Sequence, residues 1–187
     1  MGLFEFLMVL VSIIIGLGIA EILTGIARVI RCRATVTGYW VHSAAVAAIF
    51  FALLQQWWEI WDLRTASEWT FHGLLMMLAG PVGLNLVAHL LFPEPVQGAN
   101  LREYYYGAMR PIWWLAALTV VLATLFRPLI FGVNLLAPDN ATSFLFFFGF
   151  IALANSIRPI LHSILVPLVL VLVLFDIIQW SSVIGSG

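Results

Sequence analysis

Three observations predict an all-α, polytopic transmembrane bundle of six helices. Apolar residues make up 63% of the chain and charged residues only 9%, where soluble domains run near roughly a quarter charged. Mean hydropathy is +1.08. Six apolar runs are long enough to cross a bilayer, and the segments between them are too short to fold alone. Residues 1–187 are therefore expected to form a single integral membrane domain.

The first run covers about 3–30 and lacks the basic leader of a cleavable signal, so it reads as a retained helix. Gly16, Gly18, Ala20 and Gly25 give it small surfaces for close helix approach. The second, about 39–61, is rich in alanine before Gln55 and does the same. A polar turn, 62–68, leads into the third, about 69–92, which Gly80-Pro81 should kink. The one sizeable loop, 93–103, precedes the fourth run, about 105–126. The fifth, about 141–157, is short for a crossing, and Arg158-Pro159 turns the chain into the sixth, about 160–180.

Arginine placement predicts the orientation. Arg28, Arg31, Arg33, Arg102, Arg110 and Arg158 flank the odd-numbered turns, whereas Arg64 and Arg127 fall on the other side. The odd turns are thus expected in the cytoplasm and both termini outside, on the periplasmic side. Tyr39, Trp40, Tyr104–Tyr106, Trp113 and Trp114 then mark the inner interface, and Trp57, Trp58, Trp61, Trp69 and Trp180 the outer one.

Composition removes several chemistries. The chain has no lysine, which excludes Schiff-base catalysis. Its single cysteine, Cys32, excludes an intrachain disulfide and a cysteine metal cluster. A net charge of −1 leaves no basic tract for nucleic acid. No phosphate-binding glycine loop, His-Glu-x-x-His helix or nucleophile elbow is present. No catalytic residue is legible, and an enzyme is the less expected class.

Ionisable groups at membrane depth are expensive, so each is a functional candidate. They fall into two layers. The inner layer holds Glu21 and Arg28 on the first helix, His42 on the second, Asn85 and His89 on the third, Arg110 on the fourth, Asn155 and Arg158 on the fifth, and His162 on the sixth. His42, His89 and His162 lie at one depth and are the candidate ligands for at most one metal ion or haem. Each of them alone is also readable as an interfacial side chain reaching water. The outer layer holds Glu5, Gln55, Glu59 and Asp176, with Gln56 and His72. Gln55, Glu59 and Asp62 recur at i, i+4 and i+7 as an acidic stripe. Glu5 and Glu21 are about 24 Å apart along one helix and cannot share a site.

Phe4-Glu5-Phe6-Leu7 with the run Ser12–Gly18, and Leu90-Leu91-Phe92-Pro93-Glu94-Pro95 leading into Leu101–Tyr105, resemble small multi-pass bacterial inner-membrane proteins of uncharacterised families. The resemblance covers about the first 115 residues. It implies a bacterial inner-membrane location and carries no activity or site residue.

The leading functional expectation is a small channel or transporter for a cation or small solute, acting as an oligomer in the lipid bilayer. Its pathway would be lined by the first, second, third and sixth helices. The alternatives are a redox, metal-binding or haem-binding protein using the inner histidines, and a non-catalytic partner or assembly subunit.

Overall fold

The computed structural model describes residues 3–60, 70–131, 134–135 and 140–181. The expected 62–68 turn, with Arg64 and the flanking Trp61 and Trp69, lies outside the described residues, as do Asp139 and the side chains of Arg127 and Trp180. Six helices are described: α1 (Leu3–Arg31), α2 (Trp40–Ile60), α3 (Phe71–His89), α4 (Leu101–Phe131), α5 (Ala141–Asn155) and α6 (Pro159–Ser181). There is no strand among the described residues, only an isolated bridge between Thr37 and Asn100. Five helices are long and apolar enough to cross a membrane. The exception is α5, whose 15 residues reach about 22 Å against a hydrocarbon core of about 30 Å.

Local chemistry moves several ends away from the hydropathy boundaries. Asn100 starts α4 four residues earlier than the apolar run suggests. Its Oδ1 accepts from the amides of Arg102 at 3.1 Å and Glu103 at 3.4 Å, and its Nδ2 donates to Glu103 Oε1 at 2.9 Å. The cap thus satisfies the orphan N–H groups of a first turn that is itself polar. At the other end α4 continues through Pro128 to Phe131. Thr70 caps α3, its hydroxyl accepting from Gly73 N at 3.1 Å. That helix ends at His89, three residues short of the apolar run. Leu91 and Phe92 leave it yet stay buried. Helix α5 ends at Asn155, followed by Ser156 in extended backbone; Pro159, which disfavours helical backbone at the residue before it, then supplies the first residue of α6.

Apolar side chains face outward along every helix. On α1 the buried stripe is Leu7, Val11, Ile15, Gly18, Ile22 and Gly25, while Phe6, Val9, Ile13, Leu17, Leu23 and Ile30 are exposed on the other face. A helix that is apolar on both sides belongs in a bilayer, and the bundle is of the integral-membrane kind. Small residues set the close approaches. A Cβ on Gly25 would overlap the Phe92 ring, and one on Gly83 would overlap Thr119 of α4.

Helices α2, α3, α4, α5 and α6 form a ring in which each packs on the next and α6 closes back onto α2. The α5–α6 contact is the thinnest, and α2 and α4 barely touch across the middle. Helix α1 stands outside this ring, against α2 and α3. At the end where α2 and α4 begin, the two connections are pinned together. Thr37 N donates to Ala99 O and Leu101 N donates to Thr37 O, both at 3.0 Å.

Candidate functional site: a cavity inside the helix ring

The ring helices line a cavity of about 590 Å³. That volume lies within the range of small-molecule sites. Exposed Gln179 of α6 and Asn140 at the start of α5 mark its mouth; buried Ala48, Ile49, Ala116, Phe150 and Val169 mark its floor. The mouth therefore lies at the end where α2 and α6 finish and α5 begins.

Two carboxylates line it, Glu59 on α2 and Asp176 on α6. Gln55, one turn before Glu59, connects them. Its Nε2 donates to Glu59 Oε1 at 3.0 Å, and its side chain hydrogen-bonds Asp176. The i, i+4 spacing puts Gln55 and Glu59 on one face of α2, and the α2–α6 packing brings Asp176 to that face. Gln56 also lines the cavity, with Oε1 close enough to Gly80 of α3 that a Cβ there would come within 2.8 Å. Among the described residues that line it, none is basic.

The α4 and α5 walls add hydroxyls and rings. Thr119 and Thr124 return their protons to the carbonyls of Leu115 at 2.8 Å and Val120 at 2.7 Å. Their oxygens keep acceptor capacity at the cavity wall. Phe146 and Phe150 stack with centroids 5.9 Å apart and planes 17° apart, and Phe150 stacks in turn on Trp113 at 5.4 Å and 22°.

Below this ladder the bundle is closed by a directional hydrogen-bond chain. Trp113 Nε1 donates to Tyr105 Oη at 3.3 Å, and Tyr105 Oη lies 2.8 Å from His162 Nδ1. His162 Nε2 lies 2.6 Å from the carbonyl of Ser156. A carbonyl only accepts, so Nε2 carries the proton and Nδ1 receives the Tyr105 hydroxyl. Trp113, Tyr105 and His162 are 0%, 1% and 0% exposed. The Ser156 carbonyl sits at the break between α5 and α6, where no helical N–H reaches it. His162 thus repairs a helix end while joining α6 to α4. Beside it, Tyr39 and Tyr106 pair their hydroxyls at 3.0 Å.

The inner-layer residues do not converge on one site. Buried His42 donates Nε2–H to Leu91 O at 2.7 Å and lies edge-on to Phe92. His89 lies 3.5 Å from Glu21 on a half-exposed surface between α1 and α3. Arg28 pairs with Glu94 at 2.7 Å. Asn85 of α3 backs onto Gly18 of α1, Asn155 Nδ2 donates to Ile151 O at 2.8 Å, and Arg110 and Arg158 are exposed. Among the described residues no three His, Cys, Asp or Glu side chains gather as a metal site. In particular, both ring nitrogens of His162 are engaged, and His42 commits Nε2.

The outer layer does converge, through Gln55, Glu59 and Asp176; Glu5, exposed on α1, does not line the cavity. The expected wall also changes. Helix α1 contributes nothing to it and α3 only Leu84, while α4 and α5 replace them. The reason is packing: α1 lies outside the ring, and the small residues of α3 are filled by Gln56 and Thr119. Sequence reasoning missed Tyr105 and Trp113, read there as interfacial aromatics. Their spacing of eight residues, which places both on one helical face, is the signal that was available.

Comparison with protein-family models, with curated proteins and with solved structures returns no match. The site's meaning therefore rests on its geometry.

Proposed function

We propose that the protein is a small membrane carrier that holds a solute in the α2–α6 cavity and exchanges it between the two sides of the bilayer. One observation carries this reading: a cavity inside the helix ring whose lining runs from exposed Gln179 at one end to buried Ala48, Ile49, Ala116, Phe150 and Val169 at the other. A through-channel needs a continuous polar path, and here Trp113, Phe150 and the Tyr105–His162 link interrupt it. A carrier needs such a one-sided chamber in each of its states. The ring that forms it comes from one chain, so the cavity needs no second copy to enclose it. By the arginine rule the mouth faces outside, and a bacterial inner membrane is the setting we assign.

The flexible seam is the thin α5–α6 contact, whose hinge is the segment 156–158 between the two helices, with Ser156 extended. Rocking α6 about that segment would open the floor and tighten the mouth. The test is accessibility. In a Cys32→Ser background, Ala123→Cys places one thiol on the cavity wall. The carrier reading expects a membrane-impermeant maleimide to modify it from the mouth side quickly and from the opposite side slowly. Trp113→Ala should accelerate the slow reaction. Modification from the mouth side alone, in both backgrounds, would overturn the reading.

A further inference from the structure

We propose that the end of the bundle opposite the cavity mouth carries a site for a phosphate-class anion, formed by Arg102, the Tyr39–Tyr106 hydroxyl pair and Arg158. Three contacts set the place. The Tyr39 and Tyr106 hydroxyls lie 3.0 Å apart, the Arg102 guanidinium carbon lies 5.9 Å from the Tyr39 ring centroid, and the Tyr106 and His162 rings lie 5.3 Å apart. Arg102 precedes Tyr106 by one turn of α4. Arg158 precedes His162 by one turn as well, and its carbonyl accepts from His162 N at 3.3 Å. Both arginines therefore stand one turn outward from the same ring contact, toward the end where α2, α4 and α6 begin, and both are exposed.

Donors exceed acceptors here. When two hydroxyls bond to each other, one donates and the other accepts, so one phenolic proton of the pair is left to point elsewhere. Among the described residues neither hydroxyl meets a further acceptor. Arg102 meets Tyr39 through the ring face, which leaves its planar N–H fork open. The two carboxylates of residues 93–103 are held by other partners, Glu94 by Arg28 at 2.7 Å and Glu103 by Asn100 Nδ2 at 2.9 Å. The N-terminal amides of α2 and α6 add positive potential at this end. A guanidinium fork and a phenolic O–H are donors that phosphoryl oxygens accept from, and a phosphoryl group points its oxygens in several directions at once. Bound there, the anion links Tyr39, α4 and the start of α6 across the Tyr105–His162 closure. A phospholipid headgroup and free phosphate share this chemistry; exposed Trp40, Ile157 and Ile160 beside the site offer an apolar surface to a lipid's chains.

Thermal unfolding of the full-length protein in nanodiscs tests the site and separates the two sources. One arm titrates inorganic phosphate into phosphatidylcholine discs, against sodium chloride of equal ionic strength. The other raises the phosphatidylglycerol fraction of the discs without phosphate. At least one arm should raise the unfolding midpoint saturably by about 2 °C or more. Arg102→Gln should remove most of that shift and Arg102→Lys should keep part of it. Tyr106→Phe removes the spare proton and should raise the half-saturating level several-fold. The general stabilising effect of phosphate acts on every variant alike, and Arg31→Gln, at another exposed arginine, should leave the shift in place. A shift with phosphate alone assigns a soluble anion, a shift with phosphatidylglycerol alone assigns the lipid headgroup, and a shift in both assigns the shared chemistry. No shift in either arm, a shift that Arg102→Gln leaves intact, or an equal loss in Arg31→Gln would overturn the proposal.

Discussion

The Tyr105 hydroxyl lies 2.8 Å from His162 Nδ1, and this contact ties α4 to α6 at the floor of the cavity. Both partners are fully buried, and among the described residues no buried side-chain nitrogen or oxygen lacks a hydrogen-bond partner. The network is therefore complete, and removing one member strands the next.

Tyr105→Phe should destabilise the protein by about 1–3 kcal/mol, because Nδ1 of His162 and the indole N–H of Trp113 each lose their partner. The check is the midpoint of SDS-induced unfolding in mixed micelles. An unchanged midpoint would show that this link does not hold α4 and α6 together.

Two glycines of α1 should respond oppositely to the same substitution. Gly25→Ala places a methyl group into the Phe92 ring, which itself packs on His42, so a loss of about 1–3 kcal/mol is expected. Gly16→Ala meets nothing within 4 Å and should be neutral or slightly stabilising, because alanine is the better helix former. Thermal unfolding of the two variants side by side reads the difference.

The Arg28–Glu94 pair is short at 2.7 Å, but the Glu94 side chain is 70% exposed. Glu94→Gln should therefore change stability by less than about 1 kcal/mol. A larger loss, measured in the same unfolding assay, would mean that the pair anchors the loop after α3.

Most of the helical architecture was legible because apolar runs and prolines mark helix lengths and breaks. Helix ends were less so: the start of α4 depends on the Asn100 side chain, not on hydropathy. The site was harder still. When both faces of a helix are apolar, periodicity does not separate the side packed on a neighbour from the side packed on lipid. Depth alone put His42, His89 and His162 together, whereas packing sends them to Leu91 O, Glu21 and Tyr105. Gln55, Glu59 and Asp176 were readable as one acidic layer. That Phe146 and Phe150 face them across a cavity was not, because it depends on how α5 closes the ring.

Charge at the cavity should show in reagent selectivity. A thiol introduced by Thr142→Cys should react at least about tenfold faster with the cationic thiosulfonate MTSET than with anionic MTSES, corrected for intrinsic reactivity. Glu59→Gln and Asp176→Asn together should abolish most of that preference. A preference that survives both changes would have to come from other residues.

The central claim is that the cavity is a water-accessible chamber closed at its floor. The most direct measurement is the labelling rate of Ala116→Cys, on the floor beside Trp113, in sealed vesicles of known orientation. We expect MTSET added from the mouth side to react at least about tenfold faster than from the opposite side. Equal rates from both sides would contradict a blind chamber, and no reaction from the mouth side would contradict a chamber at all.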